Sequence, residues 1–116
     1  MTEYEEFLMR KVPEAVKCGA RIEDSDINPI LFPHQRDIVR WAVIGGRRAI
    51  FASFGLGKTV MQLETLRLVQ KVHGGKALIV CPLGVRQEFR KDAVMLGIST
   101  EYVRTDAEVE ASTADI

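Results

Sequence analysis

The sequence predicts an α/β domain, in which a short and mainly parallel sheet lies between two layers of helices, preceded by an N-terminal helical segment. Three observations lead to this prediction. Helical and strand patterns alternate along the chain at the spacing of β-α-β units. The strand patterns are short apolar runs, which are typical of strands buried on both faces. A glycine-rich turn joins the first of these runs to a helix.

Helices are predicted where apolar residues recur every three or four positions, over residues 33–45, 59–72 and 84–96. Glycines follow each of these stretches, as is common where helices end. Residues 3–18 have similar spacing, but Pro13 is expected to break or kink that helix.

Strands are predicted over residues 49–53, 76–82 and 101–105, which read AIFAS, KALIVCP and EYVRT. We divide the chain into an N-terminal helical extension with a loop, residues 1–30, and an α/β domain, residues 31–116. A chain of 116 residues is long enough for one domain at most.

Composition is ordinary for a globular chain, with 47% apolar and 28% charged residues. No apolar run approaches the roughly 20 residues that a membrane-spanning helix needs. The acidic N-terminus lacks the basic and then apolar order of a secretory signal, so we place the chain in the cytoplasm without a membrane partner. Cys18 and Cys81 lie too far apart in sequence to indicate a metal site or a disulfide framework.

Charge is unevenly distributed along the chain. Residues 31–91 carry eleven basic and three acidic side chains, a net charge of +8, whereas residues 1–30 carry −3 and residues 92–116 carry −5. A polyanionic partner such as nucleic acid explains the basic segment, and so does a solvated basic surface. Charge alone does not choose between the two.

The glycine-rich turn ASFGLGKT (52–59) resembles a phosphate-binding loop at its C-terminal end. Gly57, Lys58 and Thr59 match the last three positions of the pattern G-x-x-x-x-G-K-[ST]. Gly55 and Gly57 permit a tight turn whose N–H groups point inward, and the N-terminus of the next helix also attracts phosphate. Lys58 adds a positive charge, and the Thr59 hydroxyl is suited to Mg²⁺. The alternative is a strand–helix turn that binds no ligand.

Three blocks around this loop together resemble the start of a superfamily-two helicase or translocase of the DEAD-like group, and are most similar to the Swi/Snf-type branch and its phage-borne relatives. They are LFPHQRDIVRW (31–41), FASFGLGKTVMQLE (51–64) and ALIVCPLGVRQEF (77–89). The resemblance covers about residues 28–105. It implies that residues 31–116 are an incomplete RecA-like P-loop domain with an adenine-reading block, motif I and motif Ia.

The resemblance also implies roles for individual residues that bind ATP. Gln35 matches the glutamine that reads adenine, which an amide can do because it both donates and accepts. Phe32 or His34 is a candidate to stack on the base, while an exposed helix position is the alternative for Gln35. Lys58 is the implied catalytic residue, through stabilisation of phosphate charge, and Thr59 the implied Mg²⁺ ligand. The full nucleotide-binding set is Phe32, Gln35, Ser53, Phe54, Gly55, Leu56, Gly57, Lys58, Thr59 and Val60.

Motif Ia implies a nucleic-acid contact, with DNA favoured over RNA. Its matching residues are Pro82, Leu83, Gly84 and Arg86. An arginine and backbone N–H groups are suitable phosphate partners, although Arg86 by itself also fits a solvated first helical turn. Phe89 matches an aromatic position of the family, but its apolar helical face indicates a core residue.

Hydrolysis requires further groups that the 116 residues do not contain. An acidic residue must hold Mg²⁺, another group must orient water, and an arginine finger is usual. In the resembled family these belong to a D-E-x-x box and to a second RecA-like lobe. We therefore expect an N-terminal piece of the first lobe, cut by design or by a broken gene, which binds ATP–Mg²⁺ but does not turn it over alone. Ser53 stands where that family usually has an acidic residue.

Two other functions fit the phosphate loop. A small P-loop kinase would need acceptor and lid elements, which residues 101–116 do not offer. A non-catalytic module that binds nucleotide or nucleic acid would need no further elements. Binding of GTP as well as ATP would count against the adenine-reading glutamine, and therefore against the helicase interpretation.

Overall fold

Helices form all of the regular secondary structure in the computed structural model, which describes residues 2–11, 16–52 and 57–116. None of the helices in these ranges is both long and apolar enough to cross a bilayer. The elements are α1 (Glu3–Lys11), α2 (Pro33–Gly45), α3 (Lys58–His73), α4 (Arg86–Leu96) and α5 (Asp106–Ala111), with short 3-10 turns at Asp24–Asp26 and Leu83–Val85.

The predicted α/β fold class is wrong, because the described residues contain no β-strand. Residues 76–82 and 101–104 have no helical or ladder assignment, and neither have the described residues 49–52 of the first predicted strand. A RecA-like sheet between two helical layers is therefore absent from this part of the chain. The helix predictions over 33–45, 59–72 and 84–96 are confirmed to within three residues at each end.

The physical reason for this error is that a sheet depends on pairing between distant segments. An apolar run with β-favouring residues indicates an extended and partly buried segment, but it does not supply the neighbouring strand. Ile50, Ala52 and Ile79 do pack against the core as half-buried side chains. The apolar runs thus contribute to the core from extended segments that exchange no backbone hydrogen bonds with one another in the described ranges.

The hydrophobic core lies where α3 packs between α2 and α4. Met61, Leu63 and Leu68 of α3 are completely buried, and α2 contributes Val39 and Val43. The long apolar side chains of α3 therefore hold the other two helices together. By contrast, α1 buries none of its residues.

Residues 18–20, which precede α2 in sequence, fold back and cap the C-terminal end of that helix. The backbone N–H groups of Cys18, Gly19 and Ala20 donate to the carbonyls of Gly45, Ile44 and Val43, at 3.0–3.1 Å. These carbonyls belong to the last turn, which has no partners within the helix. A Cβ on Gly19 would lie 1.9 Å from the Val43 oxygen, so this close approach requires glycine.

A buried carboxylate on α3 fixes the loop that leads into α2. Glu64 has no exposed surface, and it accepts hydrogen bonds from the guanidinium of Arg67 and from the backbone N–H of Asn28. Arg67 also donates to the carbonyl of Asp26 at 2.8 Å, and Lys71 lies 3.1 Å from the Asp26 carboxylate. Since no buried side-chain nitrogen or oxygen of the described residues lacks a hydrogen-bond partner, the burial of Glu64 is compensated.

Two pKa values reflect the same cluster. The hydrogen bond with Glu64 raises the pKa of Arg67 above its usual value. The backbone N–H of Glu23, followed by the ammonium group of Lys71, lowers the pKa of the Asp26 carboxyl. Both shifts favour the charged forms of Arg67 and Asp26.

The C-terminal residues pack back onto the chain after α4. The N–H of Ile116 donates to the Ser99 carbonyl, and the Ile116 carbonyl accepts from the N–H of Glu101, both at 3.1 Å. Helix α5 lies outside the predicted elements. The sequence feature that indicates this helix is the capping pair Thr105 and Glu108, in which the Thr105 hydroxyl accepts a hydrogen bond from the Glu108 N–H.

We predict that Glu64→Gln lowers the free energy of unfolding by about 1–3 kcal/mol, because it leaves Arg67 and the Asn28 N–H without their charged acceptor. Urea unfolding followed by far-UV circular dichroism measures this loss. Glu110→Gln is the matched control, since Glu110 lies exposed on α5. Equal unfolding midpoints for the two variants would contradict the role of Glu64.

Candidate functional site

The N-terminus of α3 presents the predicted phosphate-binding residues. Gly57 precedes the helix with φ of 76°, the left-handed conformation that glycine adopts without strain. Lys58 is the first residue of α3 and its side chain is exposed, while Thr59 beside it is half-buried. The first N–H groups of this 16-residue helix have no partner within the helix, and with the Lys58 ammonium they give an electropositive end.

Gln35 lies against this end of α3. Its side chain is only 6% exposed, and its Oε1 accepts from the backbone N–H of Phe32 at 2.9 Å, which caps the start of α2. A Cβ added to Gly57 would lie 2.1 Å from Nε2 of Gln35. The structure therefore brings together Gln35 and Gly57, two predicted site residues that are distant in sequence, and it excludes the exposed helix position as an explanation for Gln35.

The aromatic candidates lie at the start of α2. Phe32 is 65% exposed, and its ring stacks on that of His34, with centroids 6.1 Å apart and planes inclined by 12°. An exposed aromatic pair beside Gln35 offers a flat apolar surface. Val60, by contrast, is buried in the hydrophobic core, where it supports the first turn of α3.

The remaining loop residues of the predicted site, Ser53, Phe54, Gly55 and Leu56, lie outside the described residues. In the described ranges, no group of three or more His, Cys, Asp or Glu side chains could hold a metal ion.

The predicted nucleic-acid residues form the turn that leads into α4. Pro82, Leu83 and Gly84 are all exposed, and Leu83 starts a 3-10 turn that ends where α4 begins at Arg86. The guanidinium of Arg86 lies 4.7 Å from the centre of the Tyr102 ring, a cation–π contact. This contact orients Arg86 on an exposed surface.

Sequence analysis did not identify Tyr102 as a partner of Arg86. The two residues lie on different predicted elements, and only the arrangement of the chain brings them together. Phe89 is half-buried against the core, which confirms its interpretation as a packing residue.

Comparison of the chain with protein-family models, with curated proteins and with solved structures found no match.

We predict that Gly57→Ala lowers the free energy of unfolding by at least about 1–2 kcal/mol, since alanine is strained at a positive φ and would contact the Gln35 amide. Gly84→Ala is the matched control, because a Cβ at Gly84 has no neighbour within 4 Å. Thermal unfolding measures both variants.

The double variant Gln35→Ala/Gly57→Ala separates the two causes of this loss. If the contact between the two side chains contributes, the double variant is less destabilised than the sum of the single ones. Strict additivity would show that only the backbone conformation of Gly57 matters.

Proposed function

We propose that the chain binds ATP–Mg²⁺ at the N-terminus of α3 and that it is the ATP-binding part of a DNA helicase or translocase motor. Lys58 neutralises phosphate charge, Thr59 offers its hydroxyl to Mg²⁺, and Gln35 reads the adenine edge. The motor's hydrolytic groups and a second lobe would come from other segments. The chain is proposed to act in the cytoplasm.

One observation supports this proposal most directly: the contact between Gln35 and Gly57. A base-reading side chain and a phosphate-binding turn must lie close together to hold one nucleotide, and they come from different elements here. Gln35 Oε1 already accepts from the Phe32 N–H, but an amide oxygen has two acceptor sites and the amide nitrogen has two donors. An amide has both the donor and the acceptor that adenine reading requires.

The proposed site binds nucleotide but lacks the groups for rapid hydrolysis. A helix N-terminus with one lysine stabilises phosphate charge in both the ground state and the transition state, so it favours binding more than turnover. Acceleration of the chemical step needs a positioned water and added positive charge on the transferring phosphoryl group. We expect turnover only when other polypeptide segments provide them.

Nucleic acid is the proposed second ligand, at the exposed turn of residues 82–84 and at Arg86. The Arg86 side chain is exposed and its guanidinium lies on the Tyr102 ring, and an arginine is a suitable partner for phosphate. The net charge of +8 over residues 31–91 would attract a polyanion to this region.

We predict that the chain binds Mg²⁺–ATP in preference to Mg²⁺–GTP and that Lys58→Ala weakens ATP binding by about tenfold or more, as expected for loss of a charged partner. Isothermal titration calorimetry measures both affinities. Lys91→Ala, an exposed lysine on α4, is the matched control. Equal affinity for ATP and GTP would contradict adenine reading by Gln35, and ATPase activity that disappears in Lys58→Ala would contradict the proposed lack of turnover.

We predict that single-stranded oligothymidylate binds with an affinity that falls steeply as salt rises, because phosphate contacts release counterions. Arg86→Ala should lower the slope of log K against log salt by about 0.7, the value for one phosphate contact on a single strand. Fluorescence anisotropy between 50 and 300 mM KCl measures the slope. Arg10→Ala on α1 is the control, and a salt-independent affinity would contradict the nucleic-acid site.

A further inference from the structure

A groove of about 350 Å³ runs between the extended segments that precede and follow α4. One wall consists of residues 78–81 and the other of residues 100–106, while Leu63 and Phe89 contribute apolar surface. In an extended chain, successive side chains point to opposite sides. Because consecutive residues line both walls, the groove is bordered by the backbone edges of these segments.

The first wall has the features of a strand without a neighbour. Its exposure alternates, since Leu78 and Val80 are 61% and 91% exposed, whereas Ile79 packs against the core. Within the described ranges, no backbone hydrogen bond involves residues 76–81. Apolar side chains on the outer face and unpaired N–H and C=O groups are together a template for pairing with another extended segment.

Two contacts hold the walls of the groove in place. At one end, the Lys76 ammonium donates to the carbonyls of Val109 and Glu110, at 2.6 and 2.8 Å, which ties the first wall to α5. At the other end, the Arg86 guanidinium lies on the Tyr102 ring of the second wall. A groove that is already formed costs less ordering when a ligand binds.

The charged residues that line the groove indicate what kind of polypeptide segment it would bind. Arg90 and Arg104 line it, and neither has a carboxylate partner among the described residues. Of the two acidic residues that also line it, Glu101 accepts a hydrogen bond from the Ser112 hydroxyl. A ligand with a carboxylate would pair with the free guanidinium groups. The same edge of a second copy supplies no acidic side chain, since Lys76 is the only charged residue in 76–81.

We propose that this groove binds an extended, apolar polypeptide segment that carries acidic residues, supplied by another protein, which pairs as a β-strand with residues 78–81. Backbone hydrogen bonds provide affinity, Leu78 and Val80 bury their apolar side chains against the segment, and Arg90 and Arg104 select its acidic residues. This inference concerns a surface separate from the N-terminus of α3 and does not depend on nucleotide binding.

The probe is the fluorescein-labelled peptide Glu-Val-Thr-Val-Thr-Val-Asp, titrated with the full chain and followed by anisotropy. We expect saturable binding, together with slowed amide hydrogen exchange at residues 78–81. The same peptide with every backbone nitrogen after the first residue methylated lacks strand donors and should not bind. Equal binding of the two peptides, or no binding of either, would overturn the proposal.

Charge reversal tests the selection of acidic residues. The variant Arg90→Glu/Arg104→Glu should weaken binding of the acidic peptide by about tenfold and should strengthen binding of a peptide with lysines at both ends. Arg10→Glu/Arg47→Glu changes the net charge equally, but neither residue lines the groove, so it should bind the acidic peptide as the unmodified chain does. Equal weakening by both double variants would overturn the proposed selection.

Sedimentation velocity of the chain without peptide tests whether a second copy of the chain occupies the groove instead. If the chain is a monomer and the amide hydrogens of residues 78–81 exchange rapidly, the groove is unoccupied in the free chain, as the proposal requires. Concentration-dependent dimers with these amides protected would overturn the proposal and assign the groove to a second copy of the chain.

Discussion

The buried carboxylate of Glu64 is the interaction on which the arrangement of the helices depends. It is a charge without exposed surface, and it is stable there because Arg67 and the Asn28 N–H bond to it. Through these bonds α3 fixes the loop at residues 26–28, and that loop sets where α2 begins. The start of α2 in turn carries Phe32 and Gln35, so one ionic cluster in the protein interior positions the candidate nucleotide site.

The same arrangement gives Gln35 two roles that are compatible in chemistry. Its amide oxygen closes the first turn of α2, and its amide nitrogen lies against Gly57 at the start of α3. Glycine at position 57 tolerates a positive φ, and it also leaves space for the Gln35 amide. The candidate site thus consists of two helix starts that meet, with Lys58 exposed beside them. This geometry suits anion binding more than it suits the bond-breaking step of hydrolysis.

The extended segments around α4 are the part of the molecule with unmet pairing capacity. Residues 78–81 pack Ile79 on the core but present Leu78 and Val80 to solvent, and their backbone groups have no partner in the described ranges. Lys76 and Arg86 hold this wall against α5 and Tyr102. An edge with exposed apolar side chains and neighbouring arginines therefore lies beside a helical core to which it contributes Ile79.

The sequence by itself determined the local elements: the bounds of α2 and most of α3 and α4, because helix periodicity and capping act over a few neighbouring residues. It also contains Gly57, Lys58 and Thr59, which match the end of a phosphate-loop pattern. Only the tertiary structure decided that the apolar runs at 76–82 and 101–105 do not pair with each other as strands, since strand pairing depends on which distant segments come together. It likewise decided the burial of Glu64, the contact of Gln35 with Gly57 and the contact of Arg86 with Tyr102, because packing between distant residues leaves no periodic pattern in the chain.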